Sequence, residues 1–206
     1  ADEIVVVDNG LTGDAKAVAL GMQARFPLTL VEAGGLENYA ALRNRAIEAT
    51  PKGVTHIHKI DTDEVYFPGT LQALKETLRD PALDRVAATF VHFMIEPSLT
   101  ESTQEKDVVF RFSRDLRWDG RVHERLEGAA GEHRAVGPAT FLHFGYCRPQ
   151  WQIFLKWLHY AKIQAGDLSH YKHEFIDGVR VPYLRGDRTP DTVLELAARH
   201  PSTLFV

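Results

Sequence analysis

The chain has 206 residues and a formal charge of −4, with ordinary apolar and charged fractions. That suits one sizeable core, or a core with an appendage, and gives no global attraction to nucleic acid or an anionic membrane. A single cysteine, Cys147, excludes an internal disulfide and fits a reducing, cytoplasmic setting. No apolar run approaches the roughly 18–20 residues of a spanning helix, and no stretch has the pattern of a signal peptide.

In chain order, Ile4–Val7 is a short β-branched run expected to form a buried strand, broken by Asp8-Asn9-Gly10. Ala15–Arg25 is expected to be helical, Leu28–Val31 a second strand, and Asn38 the cap of a helix running to about Ala49. Val54–Ile60 is expected to be a third strand. The first sixty residues thus alternate β-α-β-α-β, the pattern of a layered α/β sheet that binds ligands at the carboxyl ends of its strands. Asp8 and Asp61–Asp63 lie at such ends.

A helix from Pro68 to about Arg79, with Thr70 as its cap, comes next. Arg85–Ile95 and Val108–Ser113 have the composition of longer antiparallel strands, and Arg121–Leu126 and Thr140–His143 of shorter ones. Gln150–Gln164 carries Trp151, Phe154, Leu155, Leu158 and Ala161 at helical spacing, and Thr192–Arg199 suggests a short helix. The simplest division is a domain over 1–148 with a helical extension over 149–206.

Three constellations carry chemistry. Asp61-Thr62-Asp63-Glu64 follows the third strand, where carboxylates at i and i+2 on one side could share a divalent cation. The same residues fit a solvated exit from a strand about equally well. Trp118–Leu126 sets His123-Glu124 beside a glycine turn; it offers a base and a ligand, or is an ordinary charged turn. His143-Phe144-Gly145-Tyr146 ends a short apolar strand, so His143 could complete a carboxylate-bound metal or serve as a hydrogen-bonded rim residue. His56 and His58 alternate on one strand without a third ligand nearby, which favours a structural role. The stripe Trp151, Phe154, Trp157 and Tyr160 suits packing on the core or on a second subunit through the 150–164 helix, more than a platform for a sugar. Arg111, Arg114, Arg117, Arg121 and Arg125 form a locally basic stretch; a solvated strand face balanced by Asp115, Asp119 and Glu124 fits most of them, and one or two guanidinium groups could grip a diphosphate.

Taken together, Val-Val-Asp-Asn-Gly, Leu42-Arg43-Asn44-Arg45-Ala46, Ile60-Asp61-Thr62-Asp63-Glu64, Phe110-Arg111-Phe112, Gly120-Arg121-Val122-His123-Glu124 and His143-Phe144-Gly145-Tyr146 resemble glycosyltransferase family 2 over roughly residues 3–165. The likeness is to its bacterial branch with D-x-DE, G-x-V-HE and H-F-GY motifs. The resemblance implies a GT-A, Rossmann-like mixed sheet flanked by helices, and an inverting, metal-dependent transfer of a sugar from a nucleotide-diphosphate donor, with a UDP-sugar favoured. The acceptor would be a saccharide, lipid or protein. By the same resemblance Asp8, Arg43, Asn44, Asp61 and Arg121 contact the donor. Asp63, Asp61 and His143 hold Mg²⁺ or Mn²⁺, with Asp63 the favoured direct ligand. Glu124 is the base, with His123 its rival. The family's usual first strand and helix have no counterpart in the sequence, so the chain is expected to start at what resembles the family's second strand; either residues are missing upstream or nucleotide recognition differs. Two rivals remain: a sugar-phosphate nucleotidyltransferase, which should show a Gly-rich phosphate loop near its first strand, and a non-catalytic module that kept the fold.

Overall fold

The computed structural model describes residues 3–35, 38–94, 96–97, 100–121, 124–129 and 131–149, together with 152, 153, 156 and 160. It is a mixed α/β structure. The elements run β1 (Ile4–Asp8), α1 (Gly13–Gln23), β2 (Leu28–Glu32), α2 (Tyr39–Ala49), β3 (His56–His58), β4 (Glu64–Tyr66), α3 (Pro68–Thr77), β5 (Leu83–Met94), β6 (Thr100–Arg111), β7 (Arg117–Asp119), β8 (Arg125–Glu127) and β9 (Glu132–Tyr146). β1 and β2 form a two-stranded sheet, β7 and β8 another, and the remaining strands a sheet of order β3-β6-β5-β9-β4. By its contacts the chain divides into two compact units. The first comprises residues 1–58, 81–85 and 109–133, the second 59–80, 86–108 and 134–206. Residues 1–148 therefore contribute to both.

In the first unit the apolar run Ile4–Val7 pairs in parallel with Leu28–Val31, joined by the α1 crossover, as the alternating pattern predicts. Asn38 caps α2 through its side-chain oxygen, which accepts the Ala41 N–H at 3.2 Å. At the other end the Arg114 guanidinium donates to the carbonyls of Ile47, Glu48 and Thr50, satisfying acceptors that the helix leaves open. The third strand departs from expectation. It is confined to His56–His58 and runs antiparallel to the end of β6, with Ile57 opposite Phe110, instead of joining β1 and β2. The buried cluster of the unit is Ala40, Ile47, Phe110, Leu116 and Trp118, with Ile57, Phe112 and Leu126 packed on it.

Asn44 fastens α2 to β7. Its Nδ2 donates to the Trp118 carbonyl at 2.9 Å, and its Oδ1 accepts the Trp118 N–H at 2.8 Å. Gly120, at φ 100°, turns the chain out of β7. The expected strand Arg121–Leu126 is shorter and later, at Arg125–Glu127, and pairs with Arg117–Asp119.

In the second unit β4 pairs antiparallel with β9, setting Glu64 opposite His143, Val65 opposite Leu142 and Tyr66 opposite Phe141. The Tyr66 and Phe141 rings stack at 4.5 Å, and Phe141 is fully buried. β9 extends well beyond the expected Thr140–His143, and β6 begins eight residues before Val108 in a wholly polar run. The cap of α3 is Phe67, with Pro68 at its first position; Thr70 is buried inside the helix and donates its hydroxyl to the Thr140 carbonyl at 2.5 Å. Gln152, Ile153, Lys156 and Tyr160 are helical, while most of the expected 150–164 helix and all of Thr192–Arg199 lie outside the described residues. No helix among the described residues is long and apolar enough to cross a membrane.

The Asn44 clamp should be structural. Asn44→Ala is expected to cost about 1–3 kcal/mol, because it strands two partly buried backbone groups of Trp118. A urea midpoint that falls at constant slope would confirm it; a midpoint equal to wild type would show that the clamp contributes nothing.

Candidate functional site

The sequence-predicted residues fall into two groups, one in each unit. In the first unit Asp8 is buried at the end of β1. Its Oδ1 accepts the N–H groups of Leu11 at 2.6 Å and Gly10 at 2.8 Å, and Lys16 lies 3.8 Å from Oδ2. Those backbone donors, then Lys16, hold its carboxyl below the usual carboxylate range, against burial. Its local role is to close the turn after β1.

Arg43 and Glu124 form an ion pair with both side chains largely shielded. The Arg43 guanidinium also lies 5.2 Å from the centre of the Trp118 ring. Arg43 therefore orients the Glu124 carboxylate. Asn44 directs both ends of its amide to the backbone of Trp118, so it shapes the site mainly by fixing β7. An open cleft of about 430 Å³ lies between α2 and the β7 turn, lined by Asn44, Arg45, Arg117, Trp118 and Arg121 among others. Of the other arginines in this stretch, Arg111 is bound to Asp84 at 2.7 Å and to the Pro81 and Leu83 carbonyls, and Arg114 caps α2. His123 lies outside the described residues.

In the second unit the four residues Asp61–Glu64 form a turn closed by the Glu64 N–H donating to the Asp61 carbonyl at 3.0 Å. Because this is a turn and not the end of a strand, the alternation expected for i and i+2 does not hold, and each acid has its own surroundings. Asp61 Oδ2 lies 2.8 Å from Lys59 Nζ and 3.3 Å from Lys106 Nζ. The side chain of Glu64 is fully buried. It receives Lys106 at 2.5 Å, the Tyr66 hydroxyl at 3.2 Å and the Asp61 N–H at 3.1 Å. Burial works against the Lys106 ammonium, but Asp61 and Glu64 outweigh it and raise its pKa. Burial, together with the Glu64 charge, raises that of Tyr66.

Asp63 faces His143, with Oδ1 3.6 Å from Nε2. Oδ1 is buried and lacks a hydrogen-bond partner. The adjacent Gly145 keeps this spot open: a Cβ there would stand 2.6 Å from Asp63 Oδ2 and 2.7 Å from His143 Nε2. Behind His143, its Nδ1 meets His92 Nδ1 at 3.0 Å. In the tautomer in which His143 donates through Nδ1, its Nε2 lone pair is turned toward Asp63. Burial lowers the pKa of both imidazoles, that of His92 to about 4, and so favours this neutral form. A carboxylate oxygen without a partner beside a neutral imidazole suits a divalent cation. Among the described residues no third His, Cys, Asp or Glu joins them. A cation held by these two groups alone would take its remaining ligands from water or other oxygen donors.

Sequence reasoning missed Lys59, Lys106, His92 and Lys156 at this site. Only Lys59 is close in sequence; the others arrive through strand pairing and a helix and leave no local signal. No protein-family model matches the chain, and no curated protein matches it.

The imidazoles give a pH dependence. His58 and His92 are both held to about 4, mainly by burial, while in the unfolded chain they titrate near about 6.5. Between those values the unfolded state binds more protons, so stability falls as pH drops from about 6.5 toward about 4. Urea midpoints measured across that window should decline, and decline less in His92→Phe; an equal decline would show that His92 does not contribute.

Proposed function

We propose that the chain is a GT-A-type glycosyltransferase that moves a sugar from a nucleoside-diphosphate donor, UDP favoured, to an acceptor hydroxyl on a saccharide, lipid or protein. The observation that carries the reading is the meeting of the unpartnered Asp63 oxygen with His143 Nε2 across the space left by Gly145. Asp63 and His143 would hold Mg²⁺ or Mn²⁺. Bound there, the cation would supply Lewis-acid stabilisation of the departing diphosphate. Asp61, held by two lysines, contributes to the donor side through that network and not as a free ligand.

In the transfer the bond between the anomeric carbon and the phosphate oxygen breaks, and a bond from the acceptor oxygen to that carbon forms with inversion. The acceptor proton passes to a base, and the nucleoside diphosphate leaves. Glu124 is the residue assigned as base; its carboxylate is oriented by Arg43 and needs only hydrogen-bond reach to the acceptor. Asp8 and Arg121 are assigned to the nucleotide side of the donor. A cytoplasmic location, and self-association through the 150–164 helix, belong to the same proposal.

Two variants test it. Asp63→Ala should abolish the rise in melting temperature that Mn²⁺ and a UDP-sugar together produce, and with it metal-dependent release of UDP. An unchanged rise would remove Asp63 from the cation site. Glu124→Gln should keep the donor-induced rise yet lose transfer by roughly a hundredfold or more, the usual effect of removing a base; unimpaired turnover assigns the base elsewhere.

A further inference from the structure

Among the described residues, Lys156 forms an ion pair with Asp63, apart from the two lysines that bind Asp61. Its Nζ lies 3.9 Å from Asp63 Oδ2, donates to the Gly145 carbonyl at 3.2 Å, and sits 4.6 Å from the centre of the Tyr146 ring. Its side chain is only 17% exposed. The ammonium therefore has three holds that do not involve Asp63: a carbonyl, the Tyr146 ring and, at 5.7 Å, the Tyr160 ring. It can give up the carboxylate without becoming a buried charge that lacks partners. The site joins one carboxylate, one imidazole and one tethered cation within a few ångströms, and the carboxylate cannot satisfy a divalent ion and the ammonium fully at once.

We infer that Lys156 is a built-in competitor for the cation site: it neutralises Asp63 while the site is empty, yields the carboxylate to Mg²⁺ or Mn²⁺, and offers its released ammonium to the diphosphate. This rests on the reading of Asp63 and His143 as the cation ligands. It makes metal and diphosphate binding mutually reinforcing, because a diphosphate that draws Lys156 away removes the metal's competitor. By reciprocity the metal frees Lys156 for the diphosphate. The device keeps the site from filling with metal alone and ties its occupancy to the donor.

The experiment measures Mn²⁺ binding by titration calorimetry and by the loss of the free-ion electron paramagnetic resonance signal, without nucleotide. It compares wild type, Lys156→Met, Lys156→Arg and Asp63→Asn. Lys156→Met keeps an apolar stem against Tyr146 and removes the charge. It should bind Mn²⁺ alone about fivefold more tightly or better, within the ordinary range of coupling between sites. It should also bind inorganic pyrophosphate more weakly without metal. Lys156→Arg, which keeps the charge, should stay close to wild type in both measurements and shows that the effect is not a loss of fold. Mn²⁺ affinity in Lys156→Met that equals or falls below wild type overturns the competition while leaving the cation site intact. Mn²⁺ binding that survives Asp63→Asn, or is absent from every protein, overturns the site and this inference with it.

Discussion

The site in the second unit depends on one buried charge. The Glu64 side chain is fully shielded from solvent, and a carboxylate in that position is tolerated only when its oxygens are taken up by donors. Three donors converge on it: the Lys106 ammonium, the Tyr66 hydroxyl and the Asp61 N–H. The last of these ties the first residue of the Asp61–Glu64 turn to the last. The pairing of β4 with β9 places Glu64 opposite His143, and the Phe144 N–H continues the ladder to the Asp63 carbonyl at 2.8 Å. The buried acid and the strand pairing together fix where Asp63 stands relative to the imidazole. Removing the Glu64 charge would leave Lys106 in a shielded place facing Asp61 at 3.3 Å, so the consequences would reach beyond one hydrogen bond.

The first unit shows the opposite use of polar side chains, in which groups suited to ligand binding are taken up by the fold. Asn44 uses its whole amide on the Trp118 backbone, Arg114 closes the end of α2, and Arg111 holds the segment from Pro81 to Asp84. Arg43 is intermediate, paired with Glu124 and lying over the Trp118 ring. These interactions anchor β7 and its turn against α2, where the open cleft is found. Along that edge backbone groups are satisfied by side chains, which any ligand entering the cleft would find already in place.

The parts of the fold legible in the sequence are those whose signals are local. Ile4–Val7 and Leu28–Val31 are continuous apolar runs, Asn38 precedes a helical stretch, and their structures follow. What was not legible depends on partners far along the chain. Val54–Ile60 has the composition of another parallel strand, yet only His56–His58 is a strand, and it pairs antiparallel with residues more than fifty positions on. Residues Thr100–Asp107 are wholly polar, so no hydrophobic period marks the first part of β6. Thr70 looks like a cap because threonine favours that position, but Pro68 starts the helix earlier and the Thr140 carbonyl claims its hydroxyl. For the candidate site, Asp63, His143 and Glu124 can be picked out as chemistry-bearing residues. Lys106, His92 and Lys156 cannot, because only strand register and a helix bring them near.

The two aspartates of Asp61-Thr62-Asp63 illustrate why a motif's letters underdetermine its chemistry. On a strand, i and i+2 would share a face and could share an ion. In the turn they diverge. Asp61 is held between Lys59 and Lys106, where its charge is largely balanced by ammonium groups. Asp63 meets a neutral-leaning imidazole and one lysine at 3.9 Å, and keeps a buried oxygen that no hydrogen bond satisfies. A divalent ion gains most from the carboxylate whose compensation is least complete, since it displaces less to bind. By that criterion Asp63 is the residue a cation would take first. Asp61 acts a step removed, setting the positions of Lys106 and the turn, and the spacing of the motif matters because it separates the two roles.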